Sequence, residues 1–157
     1  MSLAKPRVGK RRLLLGLLCL LDVLAICFIF VRSSKTAVVS SEESDGFLFF
    51  FQQFLPGITE KTVRKLAHFT EFFVLGGLFA CTCAVWRRPL LAEPFLAAAA
   101  TACIDETIQL SVPGRSGQLR DIALDACGAL AAVLLLWVLA RLRARRREKN
   151  QKKSKAK

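Results

Sequence analysis

The chain has 157 residues, 54% of them hydrophobic, and a net charge of +12. Its mean hydropathy of +0.41 reflects apolar blocks of about 20 residues, the length that crosses a bilayer, rather than the amphipathic spacing of a soluble helix. This composition argues against a soluble domain, and the lack of alternating apolar and polar positions argues against a membrane β-barrel.

Four apolar blocks are each predicted to form a transmembrane helix: 13–31, 66–86, 90–110 and 122–140. The first block follows Lys10, Arg11 and Arg12, as in a signal peptide, but it is longer than the apolar part of one and no clean cleavage site follows at once. We therefore expect a retained helix. Its interior residue Asp22 is expected either to pair with a basic or hydroxyl group or to alter the depth of insertion. The sequence predicts an all-α membrane protein, a bundle of about four transmembrane helices.

Most of the basic residues lie in three segments: the N-terminus 1–12, the short link with Arg87 and Arg88, and the tail 141–157. With four spans these segments share one side of the membrane, and the positive-inside rule makes that side the cytoplasm. Both termini are therefore expected to be cytoplasmic. Because no nucleic-acid motif accompanies the basic tail, we expect it to contact anionic lipid, and we expect no nucleic-acid partner.

The segment 32–63 is predicted to be an extracytoplasmic loop. Its first part, 33–45, is rich in serine and acidic residues and is expected to be solvated. The Phe-rich stretch 47–55 is too short to span the membrane and ends at a Pro-Gly pair, which favours an interfacial or re-entrant segment. Thr59 then predicts a polar cap for the second transmembrane helix.

Small residues predict close packing of the later helices. Gly76 and Gly77 allow a neighbouring backbone to approach, and Gly128 and Ala132 have the spacing of small residues at helix contacts. The sequence Val-Pro-Gly-Arg at 112–115 predicts a type II turn, which would hold its arginine near the two helix ends that it joins.

Polar side chains accumulate where the predicted helices end, on one side of the membrane. They belong to the start of the second helix, the end of the third, and the turn and start of the fourth: Lys65, His68, Glu71, Asp105, Glu106, Gln109, Arg115, Asp121 and Asp125. Charge at membrane depth is costly, so such residues are usually paired, turned away from lipid, and functional. One interpretation is a network of interhelical salt bridges. Another is a polar pocket in which Lys65, His68 and Arg115 bind an anionic headgroup, phosphate or carboxylate.

A catalytic interpretation also stays open. His68 is the only histidine and is the candidate base, with Glu71 placed to orient it and Glu106 as a further candidate. A metal site at His68 with Asp105, Glu106 and Asp125 is conceivable, but no tight ligand motif supports it. We therefore expect no metal and no other cofactor.

Two stretches carry a resemblance to the VanZ-like family of small membrane proteins. One is 64–78 (RKLAHFTEFFVLGGL), and the other runs from Asp105 through Gly128 with the order acid-acid-x-x-Gln, Pro-Gly-Arg and Asp-x-x-x-Asp-x-x-Gly. Family motif positions match Lys65, His68, Glu71, Asp105, Glu106, Gln109, Arg115, Asp121, Asp125 and Gly128. Members often carry a tyrosine one turn after the histidine. This chain has Phe72 and Phe73 there, which argues against a role that needs a phenol hydroxyl.

The resemblance implies a VanZ-like core over 64–140, with three transmembrane helices, in a bacterial plasma (inner) membrane. The family's namesake is associated with resistance to teicoplanin, a glycopeptide antibiotic that targets the cell wall. The implied function is a multi-pass envelope protein that lowers glycopeptide susceptibility through a polar pocket at its extracytoplasmic face. The expected partners are membrane lipids and a lipid-linked cell-wall precursor or glycopeptide. Two alternatives are an intramembrane hydrolase or transferase acting on lipid headgroups with His68 as base, and a structural or partner-binding bundle.

Overall fold

The computed structural model describes residues 6–115 and 118–155, which form five α-helices: α1 (Pro6–Ser33), α2 (Ala37–Gln52), α3 (Glu60–Trp86), α4 (Ala92–Leu110) and α5 (Leu119–Lys155). No β-strand occurs in these ranges, so the all-α prediction is confirmed. Parts of the predicted basic N-terminus and tail (1–5 and 156–157), and residues 116 and 117 beyond the predicted turn, lie outside the described residues.

Three of the helices, α1, α3 and α5, are long and apolar enough to cross a membrane. Their outer faces keep large apolar side chains exposed, such as Leu13 at 76% and Val31 at 63%, as expected of a surface that faces lipid. The shorter α4 carries Glu93, Asp105 and Glu106 among its 19 residues. A fourth span formed by α4, and the cytoplasmic position of both termini, stay predictions.

The interior charge of α1 is turned into the bundle. Asp22 is only 7% exposed, and its Oδ2 accepts a hydrogen bond of 2.7 Å from Oγ1 of Thr82 on α3. Of the two roles predicted for Asp22, pairing with a hydroxyl group is the one observed. This bond helps an apolar helix to tolerate a carboxyl group at mid-length.

The prediction of a loop over 33–45 was wrong, because the chain is helical from Ala37 onward. Thr36 caps this helix: its Oγ1 accepts a hydrogen bond of 3.5 Å from the backbone N–H of Val39. Residues 47–52 of the Phe-rich stretch form the end of the same helix, which packs against α3, and residues 53–55 follow as a turn. The cap and this packing override the weak helix propensity of serine and acidic residues.

The predicted close packing is found between α3 and α5, the most extensive helix contact of the described chain. A Cβ added to Gly76 would lie 2.7 Å from the carbonyl oxygen of Ala129, and one added to Gly128 would overlap the carbonyl oxygen of Phe69. The two backbones are therefore close enough that only glycine fits at both positions. We call these four residues the glycine interface.

The contacts between helices define two ends of the bundle, with α1 and α4 running in one direction and α3 and α5 in the other. At one end Arg11 Nε, near the start of α1, donates a hydrogen bond of 2.9 Å to the carbonyl oxygen of Val85, near the end of α3. At the other, Gln109 Nε2 of α4 donates to Ser33 Oγ of α1 over 3.4 Å. Here α1 and α4 end, while α3 and α5 begin. We call it the polar end, because the predicted polar side chains lie there.

Candidate functional site

Two ion pairs connect helices at the polar end. Lys65 Nζ of α3 lies 2.9 Å from Asp121 Oδ1 of α5, and Arg32 Nε of α1 lies 3.2 Å from Glu71 Oε1 of α3. Thr59 sets the start of α3 as predicted, since its Oγ1 accepts a hydrogen bond of 3.3 Å from the backbone N–H of Thr62. The salt-bridge interpretation therefore accounts for part of the polar cluster.

The last turns of α4 supply an amide and two carboxyl groups. Gln109 Nε2 donates a hydrogen bond of 2.8 Å to Asp105 Oδ2, which lies one turn earlier on the same face. Glu106 Oε1 accepts a hydrogen bond from the backbone N–H of Gln118, just before α5. These two contacts tie the end of α4 to its own last turn and to the start of the next helix.

The chain leaves α4 through the type II turn that the sequence predicts. The backbone N–H of Arg115 donates to the carbonyl oxygen of Val112 over 3.2 Å, and Gly114 has the positive φ of 77° that this turn requires at its third position. The turn directs the Arg115 side chain toward the start of α3 and α5, where it lines a cavity.

This cavity has a volume of about 120 Å³ and lies between the start of α3, the turn, and the start of α5. Its basic lining residues outnumber its acidic ones. The basic residues are Lys61, Arg64, Lys65 and Arg115, and the acidic residues are Asp121 and Asp125. His68 and Gln109 also contribute to its wall.

Several buried polar atoms of the polar end have no hydrogen-bond partner among the described residues. They are His68 Nδ1, Glu71 Oε2, Asp105 Oδ1, Glu106 Oε2, Arg115 Nε and Asp125 Oδ1. Most buried polar atoms in proteins are satisfied, and a group of exceptions in one place indicates a site for water, an ion or a ligand. The two ion pairs therefore account for only some of the buried polar groups in this region.

Three of these residues approach one another closely. His68 of α3, Asp105 of α4 and Asp125 of α5 each offer one nitrogen or oxygen atom, and the three atoms lie within 4.8 Å of one another. Asp105 and Asp125 are 0% and 2% exposed. A histidine with two carboxylates is a donor set that can hold a divalent metal ion. Glu106, which the sequence had grouped with them, lies outside this set.

Comparison with known proteins identifies a family that matches the sequence of this chain. The family model VanZ/LLP1 matches residues 18–140 and so includes the whole polar end. The chain belongs to the VanZ/LLP1 family. No curated protein and no solved structure matches it. The recognition made from the two motif stretches is thus confirmed.

In this VanZ/LLP1 protein, all of the predicted site residues lie at the polar end, but they divide into groups. Lys65, His68, Gln109, Arg115, Asp121 and Asp125 line the cavity, whereas Glu71, Asp105 and Glu106 do not. Glu71 was predicted to orient His68. Instead its Oε1 pairs with Arg32, and His68 Nδ1 has no partner among the described side chains and backbone groups.

Sequence reasoning missed the contribution of α1 to the site. Arg32 pairs with Glu71, and Ser33, which is fully buried, accepts a hydrogen bond from Gln109. The signal was available: both residues follow the first apolar block, which ends on the same side as the predicted cluster. Sequence alone places both in the predicted extracytoplasmic loop 32–63, because serine and acidic residues follow them.

Proposed function

We propose that this protein is a multi-pass protein of a bacterial plasma membrane whose polar-end cavity binds an anionic lipid-linked or cell-wall ligand, and that this binding lowers susceptibility to teicoplanin. The observation that carries the proposal is the basic lining of the cavity, with Arg64, Lys65 and Arg115 around one small space. Family membership supports the envelope context. The resemblance described above supplies the link to glycopeptides.

Arg115 is the best candidate for the main anionic contact. Among the described residues it has no ion pair within 4.0 Å, and its buried Nε has no acceptor. Burial lowers the pKa of its guanidinium, and the neighbouring Arg64 lowers it further. The group remains protonated at neutral pH. An anion would relieve both the desolvation and the repulsion, and a phosphate or carboxylate could bind it through two parallel hydrogen bonds.

Lys65 is less available than Arg115, because Asp121 already holds it at 2.9 Å. This ion pair fixes the orientation of the Lys65 ammonium group at the cavity wall. Among the described residues, the ion pair of Arg64 is the longer one to Glu60 of the same helix, at 3.8 Å. The arrangement suits an anion that enters from the polar end and contacts Arg115 first, with Arg64 beside it.

His68 in the cavity wall favours one second candidate, hydrolysis or group transfer at a lipid headgroup with His68 as base. Lipid profiling of cells that express the wild type or His68→Gln distinguishes the two functions. A change in headgroup composition that depends on His68 supports the reaction. Identical profiles with intact anion binding support binding alone.

The first test of the proposed function is the teicoplanin and vancomycin susceptibility of a Gram-positive host. Such a host has no outer membrane that would keep these drugs from the cell wall. The host expresses the wild type, Arg115→Gln, or Arg145→Gln at matched membrane levels. Arg145 is the control because it is an exposed arginine of the basic tail, far along α5 from the cavity. We expect teicoplanin protection from the wild type and from Arg145→Gln, and its loss in Arg115→Gln.

A direct measurement accompanies the cell assay. Binding of pyrophosphate, a soluble stand-in for a lipid-linked diphosphate, is titrated calorimetrically with the purified proteins in detergent. Loss of a charge-assisted, two-bond contact should weaken binding of Arg115→Gln about 10-fold or more. Equal affinity of the two arginine variants would refute the cavity as the anion site. A well-expressed wild type that gives no protection would refute the resistance role in that host.

A further inference from the structure

The side chains behind the cavity form a second arrangement with its own chemistry. His68, Asp105 and Asp125 come from three different helices, and one donor atom of each lies within 4.8 Å of the other two. Three ligands at about 2.1 Å from one metal ion are roughly 3.4 to 3.6 Å apart at tetrahedral or trigonal angles. Side-chain rotations that move each donor atom by less than about 1 Å would therefore place all three donors on one ion.

No described basic side chain forms an ion pair with the carboxyl groups of this trio. Asp105 and Asp125 are almost completely buried, and each has an oxygen without a hydrogen-bond partner among the described residues. Lys65 pairs with Asp121 and Arg32 with Glu71, and Arg115 lies in the same region without coming within 4.0 Å of either carboxyl group. Two buried carboxylates without a cation are strongly unfavourable, so either a proton or a metal ion must accompany them.

Three further features favour the metal ion. The unpartnered Nδ1 of His68 is a possible ligand nitrogen. Gln109 donates a hydrogen bond of 2.8 Å to Asp105 Oδ2, as outer residues that orient a ligating carboxylate do. His68 and Asp125 line the cavity, which provides an entry path from the polar end. One imidazole and two carboxylates suit Zn²⁺, Mn²⁺ or Fe²⁺ better than Ca²⁺.

We propose that His68, Asp105 and Asp125 bind one divalent transition-metal ion at the inner wall of the polar-end cavity. The remaining coordination positions face the cavity and are open to water or to an anionic ligand. This metal site goes beyond the proposed anion binding. It is tested with metal alone in a phosphate-free buffer, so that the metal site and the anion site can fail separately.

The test uses the full chain, purified in detergent without a polyhistidine tag and stripped with a chelator. Mn²⁺ and Zn²⁺ are titrated separately, and bound metal is measured by equilibrium dialysis with elemental analysis. We expect one ion per chain in the wild type. Asp105→Asn and Asp125→Asn should weaken binding by about 100-fold or more. Gln109→Met removes the orienting hydrogen bond together with the longer bond to Ser33, and should weaken binding by about 10-fold.

The matched control is Asp22→Asn, which neutralises another buried carboxyl group that is bonded to Thr82, away from the polar end. This variant should keep wild-type affinity. A measurement on the wild type alone covers the case in which a site variant fails to fold. Because His68 is the only histidine, imidazole nitrogen modulation in the pulsed electron paramagnetic resonance of bound Mn²⁺ identifies it as a ligand.

Two results would overturn the metal site. One is the absence of stoichiometric binding of either metal at a concentration of about 1 mM, which is far above the dissociation constants of ordinary transition-metal sites in proteins. The carboxyl groups would then share a proton. The other is bound Mn²⁺ without an imidazole signal, or with equal affinity in Asp125→Asn and Asp22→Asn, which would place the ion elsewhere.

Discussion

The glycine interface and the polar end lie on the same pair of helices, yet they are built in opposite ways. At Gly76 and Gly128 the backbones of α3 and α5 touch, and no space remains for even one carbon atom. About one to two turns away, the same helices face a cavity and leave His68 Nδ1 and Asp125 Oδ1 without partners among the described residues. The first region contributes to stability through packing. The second region retains unsatisfied polar groups, which are expected where a site is kept for a ligand at the expense of stability.

The largest effect is expected from filling the glycine interface. In Gly128→Ala the new Cβ would overlap the carbonyl oxygen of Phe69, which is backbone and cannot rotate away. We expect a loss of about 3 kcal/mol in the free energy of unfolding, measured by denaturation in mixed micelles. Gly77→Ala is the matched control, because its nearest neighbour would be Ala132 Cβ at 3.8 Å. Equal loss in both variants would mean that helix contact is not the cause.

The polar end should be most sensitive at its more buried ion pair. Glu71→Gln leaves Arg32 without its partner, and the two side chains are 13% and 31% exposed. We expect a loss of roughly 2 kcal/mol in the same denaturation assay, less than for a fully buried pair because Arg32 still reaches solvent.

Glu93→Gln is the control for Glu71→Gln, since the pair of Glu93 with Arg88 is more exposed, at 37% and 58%. Its loss should stay below about 0.5 kcal/mol. If Glu71→Gln lowers the free energy of unfolding no more than Glu93→Gln does, the ion pair of Arg32 does not stabilise the polar end.

The two regions differ most at Asp125, where removing a charge is expected to raise the stability of the protein. Asp125→Asn keeps the size of a side chain that is 2% exposed but removes its charge from a site where no described basic side chain lies within ion-pair distance. In the presence of a chelator we expect the variant to be more stable than the wild type, by about 1 kcal/mol. A clear loss of stability in chelator would show that Asp125 is a structural residue, like the glycines, rather than part of a site.

The smallest effect is expected at Asp22, a buried carboxyl group that does have a partner. Thr82→Val keeps the shape of the side chain and removes its hydrogen bond to Asp22. We expect a loss of about 0.6 kcal/mol, since hydrogen bonds between membrane helices contribute little on average. The loss should largely disappear in the background of Asp22→Ala, which has no side-chain acceptor, if the bond itself is responsible. A loss that persists unchanged there would assign the effect to packing around Thr82.

Local sequence was sufficient to predict α1, α3, α4 and α5, the turn, and the end of the bundle at which the polar side chains lie. Apolar blocks of membrane length set α1 and α3, because only a helix satisfies its own backbone in lipid. Alternation of helix direction brings the ends of the first and third blocks to the starts of the second and fourth. The Pro-Gly pair of the turn and the cap at Thr59 act within a few residues, so local sequence was sufficient to predict them.

Which polar groups contact one another depends on the tertiary structure. Glu71 pairs with Arg32 rather than orienting His68, and His68 approaches Asp105 and Asp125 rather than Glu106. These partners depend on how each helix is rotated about its axis and how closely α3 and α5 approach at Gly128. Spacing along one helix shows which residues share a face, but not which face meets a neighbour. The helix α2 was missed for the same reason, because its contact with α3 lies outside its own sequence.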